Sequence, residues 1–188
     1  MDHAEPHDGS PEQFWDTENW QSLCAECHNA KSARWAQQLR EARRSRPFAA
    51  TVQVTVVAGP PGAGKTTWVR ERAAWGDLVV DFDALYTALS GLAVYDKPVE
   101  LMPFVASARD AVLERLSVPS QVKRAWVIQG AAKRADRDRY RQRGAQVVTL
   151  AVSPSECLLR IAADPRRRAR LEQWKPIVEA WWTEYEPD

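Results

Sequence analysis

After residue 50, the spacing of apolar residues switches repeatedly between the strand period and the helix period. Residues 51–58 read TVQVTVVA, a β-branched run typical of a buried strand, and a Gly/Pro-rich turn follows at once. Shorter strands are predicted at 78–80, 125–129 and 146–152. Helices are predicted at 66–74, 98–116, 134–143 and from Ser155 onward. Strands that alternate with helices are typical of a parallel sheet covered on both faces, so we expect a three-layer α/β fold.

Two helical segments differ in polarity. The stretch after Ser155 has an apolar side that we expect to pack on the sheet, formed by Trp174, Val178, Trp181 and Trp182. The helix at 134–143 is charged at every turn, and we expect a solvated outer face rather than a nucleic-acid groove. Cys157 lies in an apolar context and is expected in the core.

The chain before residue 47 is predicted to form a separate segment. Residues 30–45 have a helical spacing, and the polar run that ends at Pro47 is typical of a linker. The expected domains are therefore residues 1–46 and residues 47–188.

The composition is that of a soluble globular protein, with 45% hydrophobic and 27% charged residues among 188. No run approaches the roughly 18 to 20 apolar residues that a membrane helix needs. The N-terminus also lacks the pattern of a signal peptide. We expect a cytoplasmic protein without a membrane partner.

The net charge of +1 is the sum of segments with opposite charge. Residues 1–29 hold seven acidic residues and no Lys or Arg, whereas residues 160–170 hold five arginines and one acidic residue. The planar guanidinium group of arginine suits phosphate better than the lysine ammonium does. The later cluster is therefore a candidate phosphate-binding group.

Residues 59–66 read GPPGAGKT and match the phosphate-binding pattern G-x-x-x-x-G-K-[ST] in full. The match lies between a predicted strand and a predicted helix, where backbone N–H groups can bind a β-phosphate. Lys65 would reach the β- and γ-phosphates, and the Thr66 hydroxyl would bind Mg²⁺. The sequence thus predicts ATP or GTP bound with Mg²⁺. The expected nucleotide-binding residues are Gly59, Pro60, Pro61, Gly62, Ala63, Gly64, Lys65, Thr66 and Thr67.

Two acidic residues, Asp81 and Asp83, end the second predicted strand. They should lie at the carboxyl edge of the sheet, where open α/β sheets bind ligands. A carboxylate there can accept a proton from an attacking hydroxyl or hold Mg²⁺. One of the two can instead cap the next helix, and for Asp83 we favour the functional role over the cap.

The segment GPPGAGKTTWVRERA, the Asp-rich strand end and the late arginine cluster resemble the P-loop kinases related to phage polynucleotide kinase, over about residues 51–186. The resemblance implies that Asp83 is the general base toward an acceptor hydroxyl, with Asp81 as its competitor. It also implies an arginine lid over the triphosphate. The lid candidates are Arg166, Arg167, Arg168 and Arg170, and the predicted catalytic residues are Lys65, Asp83, Arg167 and Arg170.

Two positions differ from that family's pattern. The residue three places after Asp83, where the family usually has an arginine that binds the acceptor phosphate, is Tyr86. The third predicted strand ends in Gln129 rather than in an acid, so Mg²⁺ would be held by Thr66 and the Asp81/Asp83 pair. The acceptor therefore stays open, and a nucleic-acid 5′-end is one candidate.

The N-terminal segment resembles a second family, the HNH endonucleases. Asp2-His3 and FWDTENWQSLCAECHNAKSAR follow the order of the ββα-metal motif over about residues 2–35. The motif runs Asp-His, Asn, and then a cysteine pair with His at the start of a helix. The resemblance implies that His3 activates water, that Asn19 orients it, and that Asp2 and His28 hold the catalytic metal.

Cys24 and Cys27 have the spacing of a zinc-ligand pair, but no earlier pair precedes them. Structural zinc takes four ligands, so two thiolates leave the site open unless His7, His28 or a second chain contributes. The acidic charge of this segment also opposes DNA binding. Three interpretations follow: an active nuclease, a vestigial or docking segment, and a reading frame whose start lies upstream.

The leading hypothesis is a P-loop phosphotransferase that transfers the γ-phosphoryl group of ATP or GTP to a nucleic-acid end or a nucleotide hydroxyl. DNA or RNA ends would then be its partners. The first alternative is an HNH-type DNA endonuclease with an attached P-loop NTPase, acting on phage or mobile-element DNA. The second is a nucleotide-dependent switch with slow hydrolysis only, which the missing acid after the third strand would fit.

Overall fold

The computed structural model describes residues 2–4, 12, 15–31, 33–34 and 47–188 of the chain. The chain divides into two compact units, Met1–Arg44 and Ser45–Asp188. The helix predicted at 30–45 and the linker before Pro47 fall largely outside the described residues. None of the described helices is both long and apolar enough to cross a membrane.

The N-terminal unit contains a short hairpin and a helix. Strand β1 (Asp2–His3) pairs antiparallel with β2 (Trp20–Gln21), with His3 opposite Trp20. A 3₁₀ helix, Thr17–Asn19, leads into β2. Residues 25–31 and 33–34 are helical. The order strand, strand, helix is the order that the resemblance to HNH endonucleases implies.

The C-terminal unit is built on a four-stranded parallel sheet. Its strands are β3 (Gln53–Ala58), β4 (Leu78–Asp81), β5 (Arg124–Gln129) and β6 (Gln146–Thr149). They lie in the order β4-β5-β3-β6. The two central strands are buried over most of their length because helices cover both of their faces.

Helices form the two outer layers of this unit. They are α1 (Lys65–Arg70), α2 (Phe82–Ser90), α3 (Met102–Arg115), α4 (Arg134–Gln142), α5 (Pro154–Ala163) and α6 (Leu171–Thr183). One core joins Val54, Val56 and Val80 of the sheet to side chains of α2, α3 and α4. On the opposite face Val57 packs with α1, and a further cluster joins α5, α6 and the loop after β3. The expected three-layer α/β fold with a parallel sheet is confirmed.

Two predicted helices have different bounds in the structure. The helix predicted at 66–74 ends at Arg70, and the turn that follows is held by the Asp77 carboxylate, which accepts a hydrogen bond from the Ala74 N–H at 2.9 Å. The single helical stretch predicted after Ser155 is two helices, with a 3₁₀ helix at Arg168–Arg170 between them. Pro165 lies in this interruption, where its lack of a backbone N–H breaks no helical hydrogen bond.

Helix α4 is only in part the solvated helix that the charge pattern predicts. Arg139 is exposed, but Arg137 is fully buried, with 0% of its surface accessible. The Arg137 guanidinium donates hydrogen bonds to the carbonyls of Ala131 and Ala132 at 3.0 and 2.6 Å, and also to the Glu186 carbonyl. Its Nε donates to Asp188 at 2.9 Å. The expectation of an outward-facing helix is therefore wrong for Arg137, which ties α4 to residues 186–188.

Candidate functional site

The loop from Gly59 to Thr66 connects β3 to α1 at the carboxyl edge of the sheet. Gly62 has φ +83°, and a Cβ there would lie 2.6 Å from the Cys157 carbonyl oxygen, so a side chain would meet both strain and a clash. Gly64, with φ +88°, caps α1. The loop is thus closed tightly against α5, and its curvature depends on glycine.

Lys65 is the first residue of α1, and its side chain reaches back to the start of the loop. Its Nζ donates hydrogen bonds to the carbonyls of Gly59 and Pro60 at 2.7 and 2.8 Å. Burial lowers the pKa of the Lys65 ammonium to about 8, although the nearby carboxylates of Asp83 and Asp81 act in the opposite direction. The ammonium is therefore close to its titration point near neutral pH, in a place where a polyphosphate would favour its charged form.

Asp81 joins the loop to the next helix. Its Oδ2 accepts a hydrogen bond from the Thr66 hydroxyl at 3.2 Å, and its Oδ1 accepts one from the Asp83 N–H at 2.9 Å. Asp81 is therefore the N-cap of α2. Of the two aspartates, Asp81 takes the capping role, and the Asp83 side chain is not used for it.

The Asp83 carboxylate forms an ion pair with Lys97. Three residues further on, Tyr86 is 1% exposed and its hydroxyl donates to the Pro98 carbonyl. Tyr86 therefore holds the chain before α3 in place and does not face the site. The position at which the family resemblance implies an arginine has a core role in this chain.

Three of the four predicted lid arginines, Arg166, Arg167 and Arg170, are held by an acidic residue. Arg166 and Arg167 both donate to Asp164, at 3.0 and 2.9 Å, and Arg170 donates to Asp96 at 2.6 Å. The hydrogen bond from Arg166 is the main cause that holds the pKa of Asp164 at about 2. These arginines line the cleft, and Arg168 is not among the residues that do so.

Arg160 also lines the cleft, although it is not among the predicted site residues. Its Nη1 donates to the Ala63 carbonyl of the loop at 3.2 Å, and its Nε pairs with Glu156 at 3.0 Å. The signal for it was present, because Arg160 is the first arginine of the 160–170 cluster. Its position two turns into α5, beside the loop, is a tertiary contact that the charge pattern does not reveal.

Most of these side chains, but not Tyr86 or Arg168, line one open cleft of about 1120 Å³. From the predicted set it is lined by Gly59, Pro61, Gly62, Gly64, Lys65, Thr66, Thr67, Asp81, Asp83, Arg166, Arg167 and Arg170. Residues that were not predicted contribute aromatic and basic surface, and they are Arg70, Phe82, Tyr95, Lys97, Arg109, Arg160 and Trp174. The cleft thus brings together the loop from Gly59 to Thr66 and the Asp83 carboxylate, with basic and aromatic side chains beside them.

The N-terminal unit places Cys24 and Cys27 together. The Cys24 Sγ accepts a hydrogen bond from the Cys27 N–H at 3.3 Å, and this backbone hydrogen bond is the main cause that lowers the pKa of the Cys24 thiol. Both thiols are exposed. Among the residues that the structure describes, no three His, Cys, Asp or Glu side chains form a group that could hold a metal. The zinc site stays a prediction.

The other nuclease candidates are placed by the backbone. The Ala4 N–H donates to the Asn19 carbonyl at 2.6 Å, which brings Asn19 beside β1. The His28 N–H donates to the Cys24 carbonyl at 2.9 Å. The side chains of Asp2 and His3, and the whole of His7, lie outside the described residues.

Comparison with known proteins gives different results for the two units. Residues 1–34 match the family model described as HNH endonuclease. No curated protein matches the chain. Among solved structures, a gluconokinase from Sinorhizobium meliloti 1021 is similar with a TM-score of 0.45 and 24% identity, over 76% of this chain and 78% of that chain.

A shikimate kinase from Acinetobacter baumannii, in complex with shikimate, is similar with a TM-score of 0.41 and 20% identity. The similarity covers 73% of this chain and 85% of that chain. At these identities and scores, neither similarity identifies a substrate for this chain. The predicted relation to phage polynucleotide kinase and the roles of the site residues stay predictions.

Proposed function

We propose that the Ser45–Asp188 unit is an ATP-dependent phosphotransferase that uses Mg²⁺ and acts on the hydroxyl of a nucleic-acid end or a nucleotide. The observation that carries the proposal is that Lys65, Thr66 and Asp83 line one cleft at the carboxyl edge of a parallel sheet. Phosphoryl transfer needs these three things together: a cradle for the phosphates, oxygen ligands for a metal, and a carboxylate near the acceptor.

The loop end of the cleft suits a nucleoside triphosphate. The backbone N–H groups at the start of α1 would bind the β-phosphate, and Lys65 would leave the Gly59 and Pro60 carbonyls for the β- and γ-phosphates. The Thr66 hydroxyl and an Asp81 carboxylate oxygen lie 3.2 Å apart, which is a pair of hard oxygen donors. Thr66 and Asp81 would hold Mg²⁺, which would neutralise charge on the phosphate groups.

The part of the cleft around Asp83 suits the acceptor. Asp83 would accept the proton of the attacking hydroxyl while the acceptor oxygen bonds to the γ-phosphorus. Arg167 and Arg170 line the same cleft and would stabilise the charge of the transferred group after leaving Asp164 and Asp96. The acidic partners therefore keep the arginines near the site before the nucleotide arrives.

Transfer of labelled γ-phosphate from ATP to 5′-hydroxyl oligonucleotides, with Mg²⁺, tests this function. We expect labelled oligonucleotide with the wild type, and a loss of at least about a hundredfold in rate with Asp83→Asn. Asp136→Asn, which removes a carboxylate from the exposed side of α4, is the matched control. Hydrolysis without transfer that is insensitive to Asp83→Asn would contradict the proposal and favour the nucleotide-dependent switch.

We propose a second candidate function for the N-terminal unit, that of a metal-dependent DNA endonuclease. The family match over residues 1–34 and the order of β1, β2 and the following helix favour it. Plasmid nicking with Mg²⁺, Mn²⁺ or Ni²⁺ should be lost in His3→Ala and His28→Ala and kept in Lys65→Met. Nicking that persists in both histidine variants would contradict a nuclease site that depends on His3 and His28.

Zinc content tests the cysteine pair separately. We expect zinc by mass spectrometry in the wild type, its loss in Cys24→Ser, and its retention in Cys157→Ser, since Cys157 is buried in the other unit. Equal zinc content in all three proteins would contradict a zinc site at the pair.

A further inference from the structure

The loop between α2 and α3, residues 91–98, contacts both walls of the cleft. Lys97 forms the ion pair with Asp83 on the acceptor side. On the opposite wall, Arg170 donates to the Tyr95 carbonyl at 3.2 Å, and the Tyr95 ring meets the Trp174 ring edge-on at 5.4 Å. Lys97 is therefore held between the candidate base and the arginine-bearing segment.

The Lys97 ammonium has a defined position. Its Nζ lies 5.9 Å from the ring centroid of Phe82 and 6.0 Å from those of Tyr86 and Tyr95. The next residue, Pro98, accepts the hydrogen bond of the buried Tyr86 hydroxyl, which fixes the backbone beside it. The side chain is only 26% exposed. Aromatic rings on several sides favour a cation at this point and restrict how far it can move.

The ion pair conflicts with the role of a general base. A base must present a carboxylate oxygen to the acceptor hydroxyl, and the Lys97 ammonium occupies one of the two Asp83 oxygens, Oδ1. A cation in contact with a carboxylate also makes both of its oxygens less basic. In the described chain, the acidic residues that line the cleft are Asp81 and Asp83, and Asp81 is engaged by Thr66 and by the Asp83 N–H. A second anion for Lys97 therefore has to arrive with a ligand.

The neighbouring basic residue is less suited to meet that ligand. Arg109 lines the cleft 5.6 Å from the Phe82 ring, but its Nε and Nη2 both donate to Asp110, at 3.0 and 2.8 Å. Asp110 does not line the cleft. Arg109 is thus drawn away from Asp83, whereas Lys97 is directed at it.

We propose that Lys97 is a positioning residue for the phosphoryl acceptor and that the acceptor carries an anionic group next to its reacting hydroxyl. The inference rests on the proposed phosphotransferase function. On binding, the Lys97 ammonium moves from Asp83 to that anion, and Asp83 takes the hydroxyl proton. The acceptor oxygen bonds to the γ-phosphorus, the bond from phosphorus to the β,γ-bridging oxygen breaks, and ADP leaves with its electron pair.

Two matched acceptors test the inference. Dithymidine with a phosphodiester linkage and dithymidine with an uncharged methylphosphonate linkage have the same 5′-hydroxyl and nearly the same shape. With the wild type we expect kcat/KM about tenfold higher for the charged acceptor. Lys97→Met should raise KM for the charged acceptor about tenfold, leave KM for ATP unchanged and erase the preference. Lys97→Arg should keep most of the preference for the charged acceptor.

Lys123→Met is the control, because it removes an exposed lysine just before β5, at the amino ends of the strands and thus opposite the cleft. Equal kcat/KM for the two acceptors with the wild type would overturn the inference and leave the phosphotransferase function standing. A Lys97→Met protein that keeps the preference, or that raises KM for ATP instead, would overturn it as well. Transfer to neither acceptor would overturn the proposed function and this inference with it.

Discussion

The Asp81 carboxylate bridges two parts of the cleft, since one oxygen accepts from the Thr66 hydroxyl and the other from the Asp83 N–H. The same side chain therefore starts α2 and contacts Thr66, the residue that follows Lys65. A change at Asp81 should alter both the stability of the helix and the proposed ligand set of Mg²⁺, and the choice of substitution can separate the two effects.

Asp81→Asn and Asp81→Ala should differ in their free energy of unfolding but have the same effect on Mg²⁺-dependent ATP binding. Asparagine caps a helix about as well as aspartate, so Asp81→Asn should change the free energy of unfolding by less than about 0.5 kcal/mol, whereas Asp81→Ala should lose about 1 kcal/mol. Both should lose the Mg²⁺-dependent part of ATP affinity, because a carboxylate oxygen is missing. Urea unfolding and calorimetric titration measure these quantities. Wild-type affinity for Mg·ATP in Asp81→Asn would show that Asp81 is no metal ligand.

Nucleotide affinity should depend on pH through Lys65. The pKa of the free ammonium is about 8, and bound phosphates would raise it, so the complex holds more protons than the free protein. Affinity should therefore fall as pH rises above 8, by up to about tenfold per pH unit. Fluorescence titration with an ATP analogue between pH 7.5 and 9.5 measures it.

Lys65→Arg is the control for that pH dependence, because a guanidinium group stays charged throughout the range. The affinity of Lys65→Arg for the ATP analogue should be lower than that of the wild type and should not change with pH. A wild-type affinity that is equally flat would mean that Lys65 does not contact the phosphates in its titrating form.

Arg137 and Arg139 lie on the same helix and should respond very differently to substitution. Arg137→Met leaves the buried carbonyls of the 131–132 turn and the Asp188 carboxylate without a donor, so it should cost about 3 kcal/mol or more. Arg139→Met removes an exposed pair with Asp136 and should cost less than about 0.5 kcal/mol. Urea unfolding of both variants compares them. Similar losses would contradict a structural role for Arg137.

Gly62 and Gly76 provide a matched pair of glycines with positive φ. Both have φ near +85°, at +83° and +89°, but nothing lies within 4 Å of a Cβ at Gly76. Gly76→Ala should cost about 1–2 kcal/mol from backbone strain alone. Gly62→Ala should cost about 3 kcal/mol and weaken ATP binding, because the Cys157 carbonyl has to move. Equal costs would show that the loop accommodates a side chain there.

Local sequence patterns predicted the sheet and the phosphate-binding loop because their signals are short-range. The run TVQVTVVA forms a buried strand wherever helices cover both faces, and GPPGAGKT carries its own glycines for the turn. β3 and the loop accordingly lie within two residues of their expected bounds. The parallel direction of the strands, though not their order, followed from the helices between them.

The features that the sequence did not reveal depend on contacts between distant residues. Lys97 lies in a loop with no periodicity, 14 residues from Asp83, and nothing local indicates the pair. Arg137 is buried because residues 186–188 return to α4, a contact across 49 to 51 positions. Charge alone could not separate Arg137 from Arg139, since both are arginines on one polar helix.

The contact between the phosphate-binding loop and Cys157 makes that thiol a natural reporter of loop opening. Cys157 is fully buried, burial raises the pKa of its thiol, and its own carbonyl lies against Gly62. A thiol reagent reaches it only when the loop and α5 separate locally, whereas Cys24 and Cys27 are exposed and react at once. When alkylation is faster than reclosing, the slow phase therefore gives the rate at which the loop and α5 separate, without any introduced label.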